Sequence, residues 1–235
     1  MQHNNQNNYD DNVVRFKKPE SPKRVAPPPM INLPFATKTL IFIMFILHLI
    51  VWYAPSIPGV LPDNIWWLYN FGFVPLKMSD ASLFNPLVTL TPISYAFLHA
   101  GWLHILSNIL MLAAFGAGLE KNYSARLMLF IFFGSSVFAA LLHFIFDMNG
   151  TNPVIGASGG ISGLFGAVLL MLKAQGGLNR TNSLMPIIAV WLGVTILFGF
   201  MGAPDGSMVA WIAHIGGFLG GLGLMALLIK MKWAR

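Results

Sequence analysis

The sequence predicts an all-α, polytopic membrane protein: six transmembrane helices with a long first outer loop that lies partly in the membrane interface. Three observations carry that expectation. Of 235 residues, 56% are hydrophobic and only 9% charged, far from the roughly 25% charged of soluble domains. Apolar runs recur at 40–53, 101–118, 127–146, 158–172, 184–201 and 209–229. The basic residues gather at every second connection, the signature of an oriented multi-span chain.

In order along the chain, residues 1–37 read as a disordered polar and basic tail, and 38–235 as the six-helix membrane domain. The tail is Asn/Gln-rich from Gln2 to Asn8 and carries Pro22, Pro27, Pro28 and Pro29 with Arg15, Lys17, Lys18, Lys23 and Arg24 between. That composition builds no core; the tail is either a solvated extension or an anchor for anionic headgroups. The first apolar run lacks a clear small-residue cleavage site after it and reads as a retained span, not a signal peptide. Several runs are shorter than the roughly 20 residues that cross a 30 Å hydrocarbon core, which implies a locally thinned or water-filled region.

Lys121 and Arg126 after the second run, Lys173 and Arg180 after the fourth, and Lys230, Lys232 and Arg235 at the end fall on the same side as the tail, with only Lys77 opposite. By the positive-inside rule both termini are cytoplasmic, in the cell (inner) membrane, and connections 54–100, 147–157 and 202–208 face outward. In the first of these, Ile65, Trp66, Trp67, Leu68 and Tyr69, with Phe71 and Phe73, suit an interfacial segment or an aromatic belt. Net charge is +6, but the basic residues form no single patch interleaved with aromatics, so nucleic acid is not an expected partner. Cysteine is absent, which removes disulfides and thiolate metal sites; no metal or cofactor is expected.

The fourth run opens at Gly156-Ala157-Ser158-Gly159-Gly160. Asn152, Pro153 and Gly156 read as loop and Ile161 through Leu172 as apolar helix, which puts Ser158 at a helix mouth. There, unsatisfied backbone N–H groups and the positive end of the helix dipole would meet an oxyanion formed on a carbonyl attacked by Ser158. Gly159, Gly160, Gly163 and Gly166 are equally compatible with close helix packing alone.

Two further clusters lie toward the outer side. His104 and Asn108 are four residues apart, one turn on one face, and both donate hydrogen bonds. His214 lies near the outer end of the last run, at a depth similar to that of Ser158. Gly217 and Gly221 form a G-x-x-x-G pair, as do Gly159 and Gly163. Helices so lined approach closer than about 8–10 Å, which a serine hydroxyl needs to reach an imidazole. His48 and His143 read as packing residues, whereas polar groups within a membrane are by default functional.

These residues resemble the rhomboid family of intramembrane serine proteases over about 40–230. The resemblance rests on His104-x-x-x-Asn108, Gly156-Ala157-Ser158-Gly159 and Ala213-His214-x-x-Gly217-x-x-x-Gly221. It implies a catalytic Ser158–His214 dyad and an oxyanion hole of His104, Asn108 and the Ser158 backbone N–H. Glu120 resembles the family's structural glutamate at the inner end of the second span. Two positions depart from the pattern: the first outer loop has no tryptophan–arginine pair, and Ser162 stands where some relatives place a ring against the catalytic histidine, a role open to Phe165 or another ring.

The outward acids Asp63, Asp80, Asp147 and Asp205 all fall in loops, so a dyad is simpler than a triad. The activity implied is a serine endopeptidase cutting transmembrane helices of membrane proteins near their outer end, with membrane-protein substrates and the bilayer as partners. Two other readings remain: a catalytically inactive rhomboid-like protein that binds transmembrane segments, for which a missing Ser or His is expected, and a small transporter, for which a polar midplane and an internal repeat are expected.

Overall fold

The computed structural model describes residues 32–53, 62–176, 183–201 and 210–233. The tail through residue 31, the connection 202–208 with Asp205, and Arg180 and Arg235 lie outside the described residues. Nine α-helices are described: α1 (Phe35–Tyr53), α2 (Asn64–Phe71), α3 (Pro75–Ser79), α4 (Thr91–Ser94), α5 (Trp102–Asn122), α6 (Ala125–Phe146), α7 (Ser158–Ala174), α8 (Met185–Met201) and α9 (Trp211–Lys230). Short 3-10 turns cover Pro86–Leu90 and Tyr95–Phe97.

The chain is a polytopic helical membrane protein. Helices α1, α5, α6 and α9 have the length and apolarity to cross a membrane, and α7 and α8 are shorter apolar helices of 17 residues each. At 1.5 Å per residue these two reach about 25 Å, short of a 30 Å hydrocarbon core. Helices suit this environment because each pairs its own backbone groups where lipid offers no partner.

The six apolar runs correspond to α1 and α5–α9, and the largest shift is at the start of α1. The apolar pattern starts at Leu40, but α1 begins at Phe35 because Glu120, near the end of α5, caps it. The Glu120 carboxylate accepts from the backbone N–H of Ala36 and of Thr37 at 2.8 Å each, and from Thr37 Oγ1 at 2.7 Å. Two of the orphan donors of a helix start are thereby satisfied by a residue 83 and 84 positions away.

The core follows from glycine. Helix α7 packs against α5, α6 and α9, and α6 against α9. A side chain at Gly217 would strike the Gly159 carbonyl, and one at Gly221 the Gly163 backbone, so α7 and α9 touch main chain to main chain. On the α6 side, a Cβ at Gly160 would lie 2.6 Å from Ser136 Oγ and 2.8 Å from the Phe132 ring. Around this contact Leu112, Met128, Ile131, Phe132, Leu164 and Met225 are fully buried.

The described part of the connection between α1 and α5 is built of short helices. Asp63 caps α2, its side chain accepting from Trp66 N–H at 2.7 Å. Trp66, Trp67 and Phe71 form a ring cluster with centroids 5.3–6.0 Å apart. This connection is tied to the one before α7: Phe73 and Val154 exchange backbone hydrogen bonds of 3.0 and 2.8 Å, Leu76 N–H donates to Gly150 O at 3.0 Å, and Ser79 Oγ to Met148 O at 2.9 Å. The segment that delivers Ser158 is therefore held from outside the bundle.

Candidate active site

Ser158 is the first residue of α7, following Ala157 as N-cap. The turn into it is made by Gly156, whose φ of +113° lies in the region that disfavours any side chain. Gly156 N–H donates to Tyr95 O at 2.9 Å. A Cβ on Gly156 would also lie 2.5 Å from His104 Nε2 and 2.8 Å from His104 Cε1. Glycine thus makes the turn and admits the His104 ring beside it.

The Ser158 hydroxyl oxygen is 2.7 Å from His214 Nε2, a hydrogen bond between the mouths of α7 and α9. Both residues are half-buried. The bond follows from the glycine contact one turn below, since His214 precedes Gly217 by three residues and Gly217 rests on Gly159. In the neutral tautomer with its proton on Nδ1, the His214 ring accepts the serine proton through Nε2.

His104 and Asn108 occupy the first two turns of α5, with Asn108 buried. Asn108 Nδ2 donates to the His104 carbonyl at 2.8 Å, using one of the two amide N–H bonds. Backbone N–H of Ala100 lies 3.4 Å from His104 Nδ1, and the His99 ring meets the His104 ring edge-on with centroids 5.0 Å apart. The His104 ring lies against Gly156, two residues before Ser158, and the Asn108 amide keeps one N–H not used in its bond to the His104 carbonyl.

Each acid that the sequence assigns to the outer side, among the described residues, is engaged in its own loop. Asp63 caps α2; Asp80 accepts from Ser82 N–H at 2.8 Å and Ser82 Oγ at 2.7 Å, and these bonds hold its carboxyl below the usual range; Asp147 sits against Gly150. Ser162 is buried one turn below Ser158. The ring contacts of Phe165 go to Phe115, Trp191 and Phe218 at 5.2, 5.9 and 5.9 Å, a turn deeper than His214.

Sequence reasoning missed Tyr95. Its ring is buried in the connection before α5 and its hydroxyl donates to Ser136 O on α6 at 3.0 Å. A Cβ at Gly159 would lie 2.7 Å from that hydroxyl. Burial pushes the phenol above its ordinary pKa, so it stays a donor. Nothing in the pattern around Tyr95 marks it, because its partners are a glycine 64 residues on and a carbonyl of α6.

The family model for the Rhomboid domain matches residues 88–231, more than half of the chain. The chain belongs to the rhomboid family. Among relatives of this rhomboid, RHOMBOID-like protein 5 of Arabidopsis thaliana is 32% identical over 140 residues, 58% of this chain and 43% of the relative. The putative rhomboid protease YdcA of Bacillus subtilis (strain 168) is 30% identical over 150 residues, 62% of this chain and 69% of the relative. The rhomboid protease GluP of the same strain is 33% identical over 136 residues, 56% of this chain and 24% of the relative. The match spans less than half the length of the Arabidopsis relative and about a quarter of GluP. The family includes serine intramembrane proteases and inactive members, so rhomboid membership assigns a multi-pass membrane protein of protease or protease-like function.

Proposed function

We propose that this rhomboid is an active serine endopeptidase that cuts the transmembrane helices of other membrane proteins near their outer ends. The observation that carries the reading is the 2.7 Å contact of Ser158 Oγ with His214 Nε2, within the range a nucleophile and its base require. His214 takes the hydroxyl proton as Oγ bonds to the scissile carbonyl carbon, and the carbonyl electron pair moves to oxygen. The donors for that oxyanion are the Ser158 N–H, His104 and Asn108, a role in which one lost donor costs on the order of 10²–10³ in rate. When the pair returns, the C–N bond breaks and the His214 proton leaves with the amine. A water then gives one proton to His214 and attacks the acyl carbon; collapse frees the new carboxylic acid, which ionises in solvent, while Ser158 regains its hydrogen from His214.

The substrate reading rests on depth. Ser158 opens α7 and His214 is the fourth residue of α9, so the dyad is at the end of the bundle opposite Lys121, Arg126, Lys173 and Lys230. By the positive-inside rule that end faces outward, with both termini cytoplasmic and the protein in the cell (inner) membrane. A substrate helix must unwind to present a carbonyl, and helix-weakening Gly or Pro residues lower that cost. The reading as an inactive binder of transmembrane segments requires a lost or displaced Ser or His, and the contact between Ser158 and His214 favours the enzyme.

The test is cleavage of single-span substrates by purified protein in vesicles, alongside labelling by a fluorophosphonate. Wild type and Ser162→Ala are expected to cleave and label, and Ser158→Ala to do neither. Labelling that survives Ser158→Ala removes the nucleophile assignment. Products mapped by mass spectrometry are expected to end near the outer end of the substrate helix; cuts clustered at the other end overturn the topology.

A further inference from the structure

At the end of the bundle away from Ser158, a cavity of about 530 Å³ opens between the start of α6 and the end of α9. Tyr123, Arg126 and Trp233 form its polar and aromatic mouth, and Leu127, Phe130 and Leu228 its apolar wall. The same two helices carry a second groove of about 540 Å³, lined among others by Phe138, Leu141, Gly220 and Leu227. The linings follow one another along both helices: Arg126, Phe130, Phe138 and Leu141 on α6, and Leu228, Leu227 and Gly220 on α9. They share no lining residue and lie one beyond the other along the α6–α9 crevice, the first with a cation and two aromatic residues and the second lined by hydrocarbon.

We propose that this crevice holds an anionic phospholipid, its headgroup phosphate on Arg126 and an acyl chain along Phe130 toward Phe138. Three features select that occupant. Arg126 is exposed and makes no ion pair among the described residues, so its guanidinium is available to a phosphate. Lys230 and Lys232 at the α9 end beside the cavity and Lys121 at the end of α5 add a positive field that a zwitterionic headgroup does not complement. From Arg126 to Phe138 the α6 axis rises about 18 Å, comparable with one leaflet of a roughly 30 Å hydrocarbon core. Trp233 and Tyr123 belong at the headgroup level that such rings favour.

The experiment is native mass spectrometry of the full chain released from nanodiscs containing equal phosphatidylglycerol and phosphatidylcholine of matched chains. Wild type is expected to retain phosphatidylglycerol preferentially. Arg126→Gln is expected to lower that preference roughly fivefold, the loss of one cation's attraction near an anionic surface. Lys173→Gln, at the same end but outside the crevice, is expected to keep it, and thermal unfolding of each variant checks its fold. Equal retention of the two lipids overturns the proposal, as does an Arg126→Gln variant with wild-type preference or a Lys173→Gln variant that loses as much. Displacement of the lipid by millimolar inorganic phosphate overturns it too, since it would assign the site to the phosphate group alone.

Discussion

Helices α7 and α8 have the same length, 17 residues, and opposite surroundings. Helix α8 is the more apolar, yet Val190, Val194 and Leu197 are exposed and it packs chiefly on α9. Helix α7 carries Gly159, Gly160, Gly163 and Gly166, and most of its length is buried among α5, α6 and α9. In lipid, apolarity gives no preference for the interior of a bundle over its surface, and what selects the interior is the close approach that small residues permit. Gly193 of α8 faces open space, whereas Gly163 of α7 faces Ser135 and the Gly217 carbonyl. At these two positions the same residue type is a packing device in one helix and a spacer in the other.

The sharpest way to break this contrast is Gly217→Leu against Gly193→Leu. A side chain at residue 217 strikes the Gly159 carbonyl and wedges α9 from α7, and Ser158 and His214 are carried on those two helices. Gly217→Leu is expected to abolish fluorophosphonate labelling and to lower stability by overpacking, about 1–3 kcal/mol or more. Gly193→Leu is expected to label like wild type. Equal loss in both would make the α7 surroundings no tighter than those of α8.

A smaller effect is expected from Gly163→Ala, whose methyl group would overlap Ser135 and lie 2.8 Å from the Gly217 carbonyl. Its destabilisation, read by reversible unfolding in mixed micelles, is expected in the same roughly 1–3 kcal/mol range, toward the low end. Adding Ser135→Gly is expected to recover part of it. The Ser135 hydroxyl is buried with no hydrogen-bond partner among the described residues, so its removal breaks no bond there. A coupling of zero between the two substitutions would show that they do not share the contact.

Trp191 is where α8 joins the packed rings, stacked on Phe218 with centroids 4.5 Å apart. Trp191→Ala is expected to lose about 0.5–1.5 kcal/mol of ring contact beyond area effects, with Ser158 labelling retained. Complete loss of labelling would place α8 among the elements that hold the dyad. The smallest change is Gly193→Ala, expected to stabilise by roughly 1 kcal/mol through helix propensity alone, since no atom crowds the added methyl. Destabilisation there would mean that α8 packs more closely at residue 193 than the open space around it suggests.

The membrane class and the approximate course of the helices were legible in the sequence because hydropathy and charge are properties of single segments. Helix ends set by distant partners were not. The start of α1 at Phe35 depends on Glu120, a residue the rhomboid resemblance marked as structural without showing what it caps. Tyr95 escaped notice because an isolated tyrosine in an aromatic-rich loop reads as interface, whereas its hydroxyl spans 41 positions to Ser136. Of the rings open to the place left by Ser162, Phe165 packs a turn below His214 with Trp191 and Phe218, a depth that the spacing alone does not show.

By itself the sequence determined that the chain enters a membrane in apolar helices, that its basic residues mark one side, and that Ser158 stands at a helix mouth with glycines after it. Periodicity, charge and turn chemistry are local, and each acts before any helix meets another. Tertiary structure alone decided that α7 and not α8 is enclosed, that His214 Nε2 comes within 2.7 Å of Ser158 Oγ, and that the loop bearing Gly156 is tied to Tyr95. Those facts depend on which glycine lies against which backbone, a contact between segments 58 residues apart at Gly159 and Gly217, and steric fit at that range has no signature in either segment taken alone.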